Sequence, residues 1–229
     1  MLNFKTALII GAGPGISASL TRSLTKAGVK VAMAARNIKK LSDLAQETGA
    51  KAFPVLDAAD AFSVEQLFDE VDEAFGAPDI VVYNASARAH GPLAELNPAD
   101  VHRALDITAF GGFLAVHHAA RRMVPQGHGA ILLTGASASI KGFPQSAAFA
   151  MGKFALRGLA QSAARELGPK GIHVAHFIID GGVRKSGVSD ANDGLLTPDA
   201  IAQTYLDVLK QPRDAWSQEV DLRPWAEKF

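Results

Sequence analysis

The stretch Thr6-Ala7-Leu8-Ile9-Ile10 runs without interruption into Gly11-Ala12-Gly13-Pro14-Gly15 and then into a helical pattern marked by Ile16, Leu20 and Leu24. The first segment has the composition of a strand buried on both faces. The i, i+4, i+8 spacing of the last three residues lays one apolar stripe along a helix. Strand, glycine turn and helix in this order form a ready anion site. Glycine lets backbone approach a phosphate without a Cβ in the way. The helix N-terminus presents unpaired N–H groups and the positive end of its dipole. The spacing G-x-G-x-x-G would need glycine at position 16, which is Ile16. The fit here is Gly11, three residues, Gly15, one apolar residue and a small one, Ser17. A glycine-rich hairpin or a bare helix cap is the alternative, and the flanking strand and helix favour nucleotide binding.

The same alternation continues through the chain. Residues 30–34 read as a second strand, and Ile38, Leu41, Leu44 and Ala45 mark a helix closed by Gly49. A third strand spans 52–56 and ends at Asp57, followed by a helix carrying Val64, Leu67, Phe68, Val71 and Phe75. Residues 80–83 form a fourth strand ending at Asn84. A loop through His90-Gly91-Pro92 leads to one long helix over 98–123. A fifth strand at 130–134, a long helix at 147–167 and a sixth strand at 172–179 follow. After a loop with Gly181, Gly182 and Gly187 come a helix at 198–209 and a strand-like piece near Val220. Strict β–α alternation predicts a single doubly wound α/β domain over 1–229, a Rossmann-type parallel sheet with helices on both faces. Ligands of such a sheet bind at the carboxyl ends of the strands, where the strand order reverses.

An acidic residue after the second strand ordinarily binds the adenosine ribose hydroxyls. Here that place reads Ala35-Arg36-Asn37, with no carboxylate. An arginine can stack on adenine and pair with a 2′-phosphate that a carboxylate would repel. NADP(H) is therefore expected over NAD(H), against the plainer reading of Arg36 as a solvated charge. Asp57 is placed to accept from the adenine amine or to cap the next helix. Asn84 is placed to bond ribose or to hold neighbouring backbone.

Composition removes several other functions. Lys+Arg and Asp+Glu both number 23, so a zero formal charge argues against nucleic acid or an anionic membrane as partner. The absence of cysteine removes disulfides, thiolate nucleophiles and cysteine metal sites. No apolar run approaches a membrane span, and the first strand begins too early for a signal peptide. A cytoplasmic protein is expected. His117 and His118 are adjacent on a helix, and His173 and His176 point to opposite faces of a strand, so neither pair makes a metal site. Tyr83 and Tyr205 read as packing residues.

Taken together, the glycine loop, Asp57, Asn84-Ala85-Ser86, Gly111-Gly112-Phe113-Leu114, Thr134-Gly135-Ala136-Ser137 and Phe149-Ala150-Met151-Gly152-Lys153 resemble the short-chain dehydrogenase/reductase family over nearly the whole chain. The resemblance implies NAD(P)(H) binding and hydride transfer between the cofactor and a small alcohol or carbonyl. It implies cofactor contacts from Gly11, Gly13, Pro14, Gly15 and Ile16, and from Arg36, Asn37, Asp57 and Ala58. Asn84, Ala85, Thr134, Lys153 and Gly181 complete that implied set. It also implies a homotetramer or homodimer packed through the two long helices, with small residues such as Gly111, Gly112, Gly152 and Gly158 permitting close approach.

The departures fall on the chemistry. The family's active site joins Asn, Ser, Tyr and Lys, with Tyr four residues before Lys. Phe149 stands where that Tyr belongs, on the same helix face as Lys153. The Ser position aligns with Ala136, beside Ser137, and the helix Asn position with Thr108. The family's Pro-Gly after the sixth strand reads Asp180-Gly181, and its threonine there aligns with Lys185. Catalysis is therefore assigned to Lys153 and Ser137, a serine being a poor acid that can relay from Lys153 or water, and the substrate pocket to Phe149, Ser146 and His90, the histidine having a solvated reading beside it. Ser139 is a further relay candidate. Arg184 and Lys185 read as solvated charges or as a lid for an anionic substrate, and Pro224-Trp225 as a subunit contact. The leading expectation is an NADP(H)-dependent oxidoreductase with a modified proton relay. The alternative is an inactive NADP(H)-binding sensor or assembly partner.

Overall fold

The computed structural model describes residues 2–55, 57–185, 188–190 and 194–226. Seven strands form one parallel sheet: β1 (Thr6–Ile10), β2 (Lys30–Ala35), β3 (Lys51–Pro54), β4 (Ile80–Tyr83), β5 (Gly129–Thr134), β6 (Ile172–Ile179) and β7 (Glu219–Leu222). Their order is β3-β2-β1-β4-β5-β6-β7. The chain winds outward from β1 in one direction, then restarts at β4 in the other. The crevice between the carboxyl ends of β1 and β4 is therefore the place where no crossover covers the sheet.

Alternation along the strands feeds two cores. Leu8, Ile10, Ile131 and Leu133 face α3 (Ala61–Phe75), α5 (Gly111–Met123) and α6 (Ala147–Leu167), meeting Leu67, Phe68, Leu114, Ala115 and Leu156. Ala7, Ile9, Ala130 and Leu132 face α1 (Ile16–Lys26), α2 (Ser42–Thr48) and α7 (Pro198–Leu209), meeting Leu20, Leu24, Leu44, Ile201 and Leu209. Tyr205 is fully buried there, stacked on Phe177 at 3.6 Å with its hydroxyl bonded to that of Thr134 at 2.8 Å. Among the described residues no helix is long and apolar enough to cross a membrane.

Three expectations need correction. The third strand ends at Pro54 rather than running over 52–56, and Leu56, like Gly187 of the later loop, lies outside the described residues. The helix expected over 98–123 is interrupted: α4 (Pro98–Leu105) and α5 are joined by a π-turn, Asp106–Phe110. Long-range contacts hold that turn. The Tyr83 hydroxyl donates to the Ile107 carbonyl, and Thr108 Oγ1 accepts from the Ala87 N–H at 3.0 Å. Such a bulge inserts one residue into the helical repeat and commonly marks a functional site. Finally, three of the four small residues face inward. A Cβ on Gly111 would collide with the Tyr83 hydroxyl and the Ala58 carbonyl, one on Gly112 with Leu156, and one on Gly152 with Thr108. Of the four, Gly158 alone has open space in front of it. These glycines seat α5 and α6 against the chain's own site instead of against a second copy.

Candidate active site

The glycine loop is shaped by its neighbours. Gly11 has φ +86°, and a Cβ there would strike the backbone of Ala85 at the end of β4. The Gly11 and Ala12 N–H groups donate to the Ala34 carbonyl at 3.0 and 2.9 Å. A side chain at Gly13 or Gly15 would meet nothing within 4 Å, so both present bare backbone to open space. Gly15 precedes α1, which opens at Ile16 with no side-chain cap. Ser17 is accounted for by its bonds: its hydroxyl donates to the Gly11 carbonyl at 3.2 Å and accepts from Asn84 Nδ2 at 2.8 Å. Asn84 Nδ2 also reaches the Gly11 carbonyl at 3.2 Å. The Asn84 amide nitrogen thus ties the loop to β4.

A cleft of about 540 Å³ and another of about 530 Å³ flank this loop. The second runs over Gly13, Pro14, Arg36, Asn37, Ala58 and Ala85 at the β1–β4 crevice. Arg36 is exposed on its wall, and Lys40 joins it there. Asn37 Oδ1 accepts from the Lys39 N–H at 3.1 Å and so caps the turn Ile38–Leu41. Asp57 does not cap the following helix, which is a further correction: Asp60 does, accepting from the Ser63 N–H at 2.7 Å. Asp57 accepts instead from the Ala59 N–H at 2.9 Å and pairs with Arg103 at 2.8 Å. The hydrogen bond from Arg103 holds its carboxyl below the usual range. The first cleft is bordered by Gly13, Pro14, Lys40, Arg184 and Lys185, which brings the two cations after β6 to the loop. Gly181, with φ +152°, lines neither cleft.

A second cluster sits at the end of β5. Lys153 is 3% exposed, and its Nζ donates to the Thr134 carbonyl at 2.6 Å. Burial, with a contribution from the Arg88 charge, pushes it down to about 7. Phe149, one turn earlier on α6, is 7% exposed with its ring centre 5.7 Å from Lys153 Nζ. On that ring lies the Arg88 guanidinium, 3.9 Å from the centroid. Ser137 opens the turn Ser137–Ser139 and is half-buried. Ser139 is committed elsewhere, accepting from the Ala136 N–H at 3.2 Å and bonded to His176 Nε2 at 3.3 Å. His176 is pushed down to about 4 by burial and contacts Glu219 at 3.2 Å, which Arg157 holds through two bonds of 2.7 Å. Ser139 and neutral His176 therefore brace β5 against β6 and β7. Ser146 precedes α6 without capping it, and His90 is exposed.

Sequence reasoning passed over Arg88, Arg103 and Lys40. The available signal for Arg88 was its place in Asn84-Ala85-Ser86-Ala87-Arg88, a loop leaving the carboxyl end of a central strand.

The model of the short chain dehydrogenase family matches residues 5–192. L-2,3-butanediol dehydrogenase of Corynebacterium glutamicum is 32% identical over 176 residues, covering 73% of this chain and 67% of that one. The crystal structure of a short-chain dehydrogenase from Rhodopseudomonas palustris superimposes with a TM-score of 0.84 at 33% identity, over 96% of this chain and 99% of that one. An alcohol dehydrogenase from the archaeon Thermococcus sibiricus, complexed with 5-hydroxy-NADP, gives 0.87 at 27% identity over 98% of each chain.

Proposed function

Since the chain belongs to the short-chain dehydrogenase/reductase family, we propose that it is an NADP(H)-dependent oxidoreductase acting on a small carbonyl or alcohol, with a proton relay built without the usual tyrosine. The observation that carries this reading is the crevice at β1 and β4. Bare glycine backbone borders open space there, and Arg36 and Lys40 flank an adenosine end that has no free carboxylate after β2. Asp57, the acid that lines this cleft, is paired with Arg103. Such a donor set suits a 2′-phosphate. The glycine loop, Arg184 and Lys185 would hold the pyrophosphate, with Asn84 and Ser17 fixing the loop that receives it.

The bound nicotinamide would supply or accept the hydride. At the carbonyl oxygen, Lys153 Nζ places positive charge and, with a pKa brought down to about 7, gives up a proton readily near neutral pH. The Ser137 hydroxyl is the remaining relay, since Ser139 is held by Ala136 and His176. We propose a cytoplasmic homo-oligomer joined through α5 and α6. The support is the apolar surface at that place: Phe110 and Phe113 stack on each other and, with Met151 and Phe154, are about half exposed.

Calorimetric titration of wild type and Arg36→Ala with both cofactors tests the reading. NADPH is expected to bind the wild type more tightly than NADH. Arg36→Ala should weaken NADPH by about ten-fold, within the range of a charge-assisted contact, and leave NADH nearly unchanged. Equal affinities in the wild type would sink the NADP(H) assignment.

A further inference from the structure

We propose that Arg88 is the anchor for a carboxylate on the substrate, so that this enzyme takes oxo acids and their hydroxy-acid counterparts in preference to neutral carbonyls. The inference rests on the oxidoreductase reading above and deepens it.

Arg88 is placed by its neighbours. On one side Thr108 Oγ1 accepts from the Ala87 N–H at 3.0 Å and lies 3.4 Å from the Ala87 carbonyl. On the other, Ala89 is buried against Ala104 and Ala148, and the Gly91 N–H donates to the Gln145 carbonyl at 3.1 Å. The loop is thus pinned before and after Arg88, and its side chain leaves between two fixed alanines. Its guanidinium carbon then sits over the Phe149 ring, 3.9 Å from the centroid, where an aromatic face attracts a cation. Among the described residues its N–H donors make no hydrogen bond or ion pair, so they are free to bind a ligand. Those donors form the fork that receives a carboxylate through two parallel bonds.

The charge balance of the cluster points the same way. Phe149 separates two cations, Arg88 on its ring and Lys153 Nζ 5.7 Å from its centre. Lys153 donates a hydrogen bond to the Thr134 carbonyl, and among the described residues no carboxylate acts on it. Among the described residues Arg88 has no ion-pair partner either. Two basic groups on one ring, with no carboxylate beside them among the described residues, make a site that a resident anion would relieve. An alkoxide exists only in passing and does not do this in the resting complex. A carboxylate carried by the substrate does.

The test uses pyruvate, acetoacetate and levulinate, which set the carboxylate at increasing distance from the carbonyl, each beside its methyl ester. Binding to the NADP⁺-saturated protein is measured by calorimetry, with no turnover required. At least one acid is expected to bind ten-fold or more tightly than its ester, as a charge-assisted pair provides. Arg88→Gln should erase that preference and Arg88→Lys restore part of it. Titration with NADP⁺ verifies that each variant is folded. Acid and ester bound alike, neither retained, or a preference that survives Arg88→Gln would overturn the proposal. Failure of NADP⁺ itself to bind would instead overturn the oxidoreductase reading.

Discussion

Phe149→Tyr is expected to raise the rate of carbonyl reduction by about 10²-fold or more, since a positioned general acid contributes roughly 10²–10⁴-fold. The position is prepared for it. The ring is almost fully buried, one helical turn from Lys153, and packed under Arg88. A phenol at that place would have two cations beside it, which favour its ionised form and lower its pKa from the usual value near 10. The substitution adds one oxygen and leaves the Arg88–ring contact in place, so the folded state should tolerate it. Single-turnover reduction with saturating NADPH reads the effect, and its pH profile should gain an ionisation that the wild type lacks. A Phe149→Tyr rate no higher than wild type would mean that the reacting carbonyl does not come to this ring.

Lys153→Met is expected to change how stability depends on pH. Sign matters here. In the unfolded chain the lysine keeps its proton up to its ordinary pKa near 10.5, whereas the buried group releases it near 7. Between those values the unfolded state binds more protons, so the wild type gains stability as pH rises. The gain from about pH 7 to about pH 9 is on the order of 2 kcal/mol, because one proton per pH unit is worth about 1.4 kcal/mol. Urea midpoints of wild type and Lys153→Met at both pH values isolate it, since all other groups titrate alike in the two proteins. The wild-type midpoint should climb relative to the variant. Parallel behaviour would show that Nζ keeps its proton in the fold. The variant should also bind NADPH less tightly, because an ammonium with three donors suits the nicotinamide ribose hydroxyls.

Local signals made much of this molecule legible in the sequence. The strand–glycine–helix opening, the parallel alternation, and the helices Ala147–Leu167 and Pro198–Leu209 all follow from patterns within a few residues of each other. What escaped depends on contacts between distant segments. Helical periodicity carries no mark of the π-turn at Asp106–Phe110, which is set by Tyr83 and Ala87 more than twenty residues earlier. A glycine on a helix reads the same whether it meets a second copy or its own core, and Gly111, Gly112 and Gly152 meet the core. Asp57 stood before a helix start, but Asp60 sat at the right offset to cap it, which left Asp57 for Arg103. Arg88 and Lys40 gained meaning only when the sheet brought their loops to Phe149 and to Arg36.

The departure at Phe149 makes hydride transfer itself the central claim to test. Wild-type protein incubated with NADPH deuterated at nicotinamide C4 and a panel of oxo acids and neutral carbonyls gives the direct measurement. Deuterium at the carbinol carbon of at least one product, absent when the protein is omitted, is the result this account predicts. Tight NADPH binding with no deuterium in any product would contradict it and leave a protein that holds the cofactor without using it.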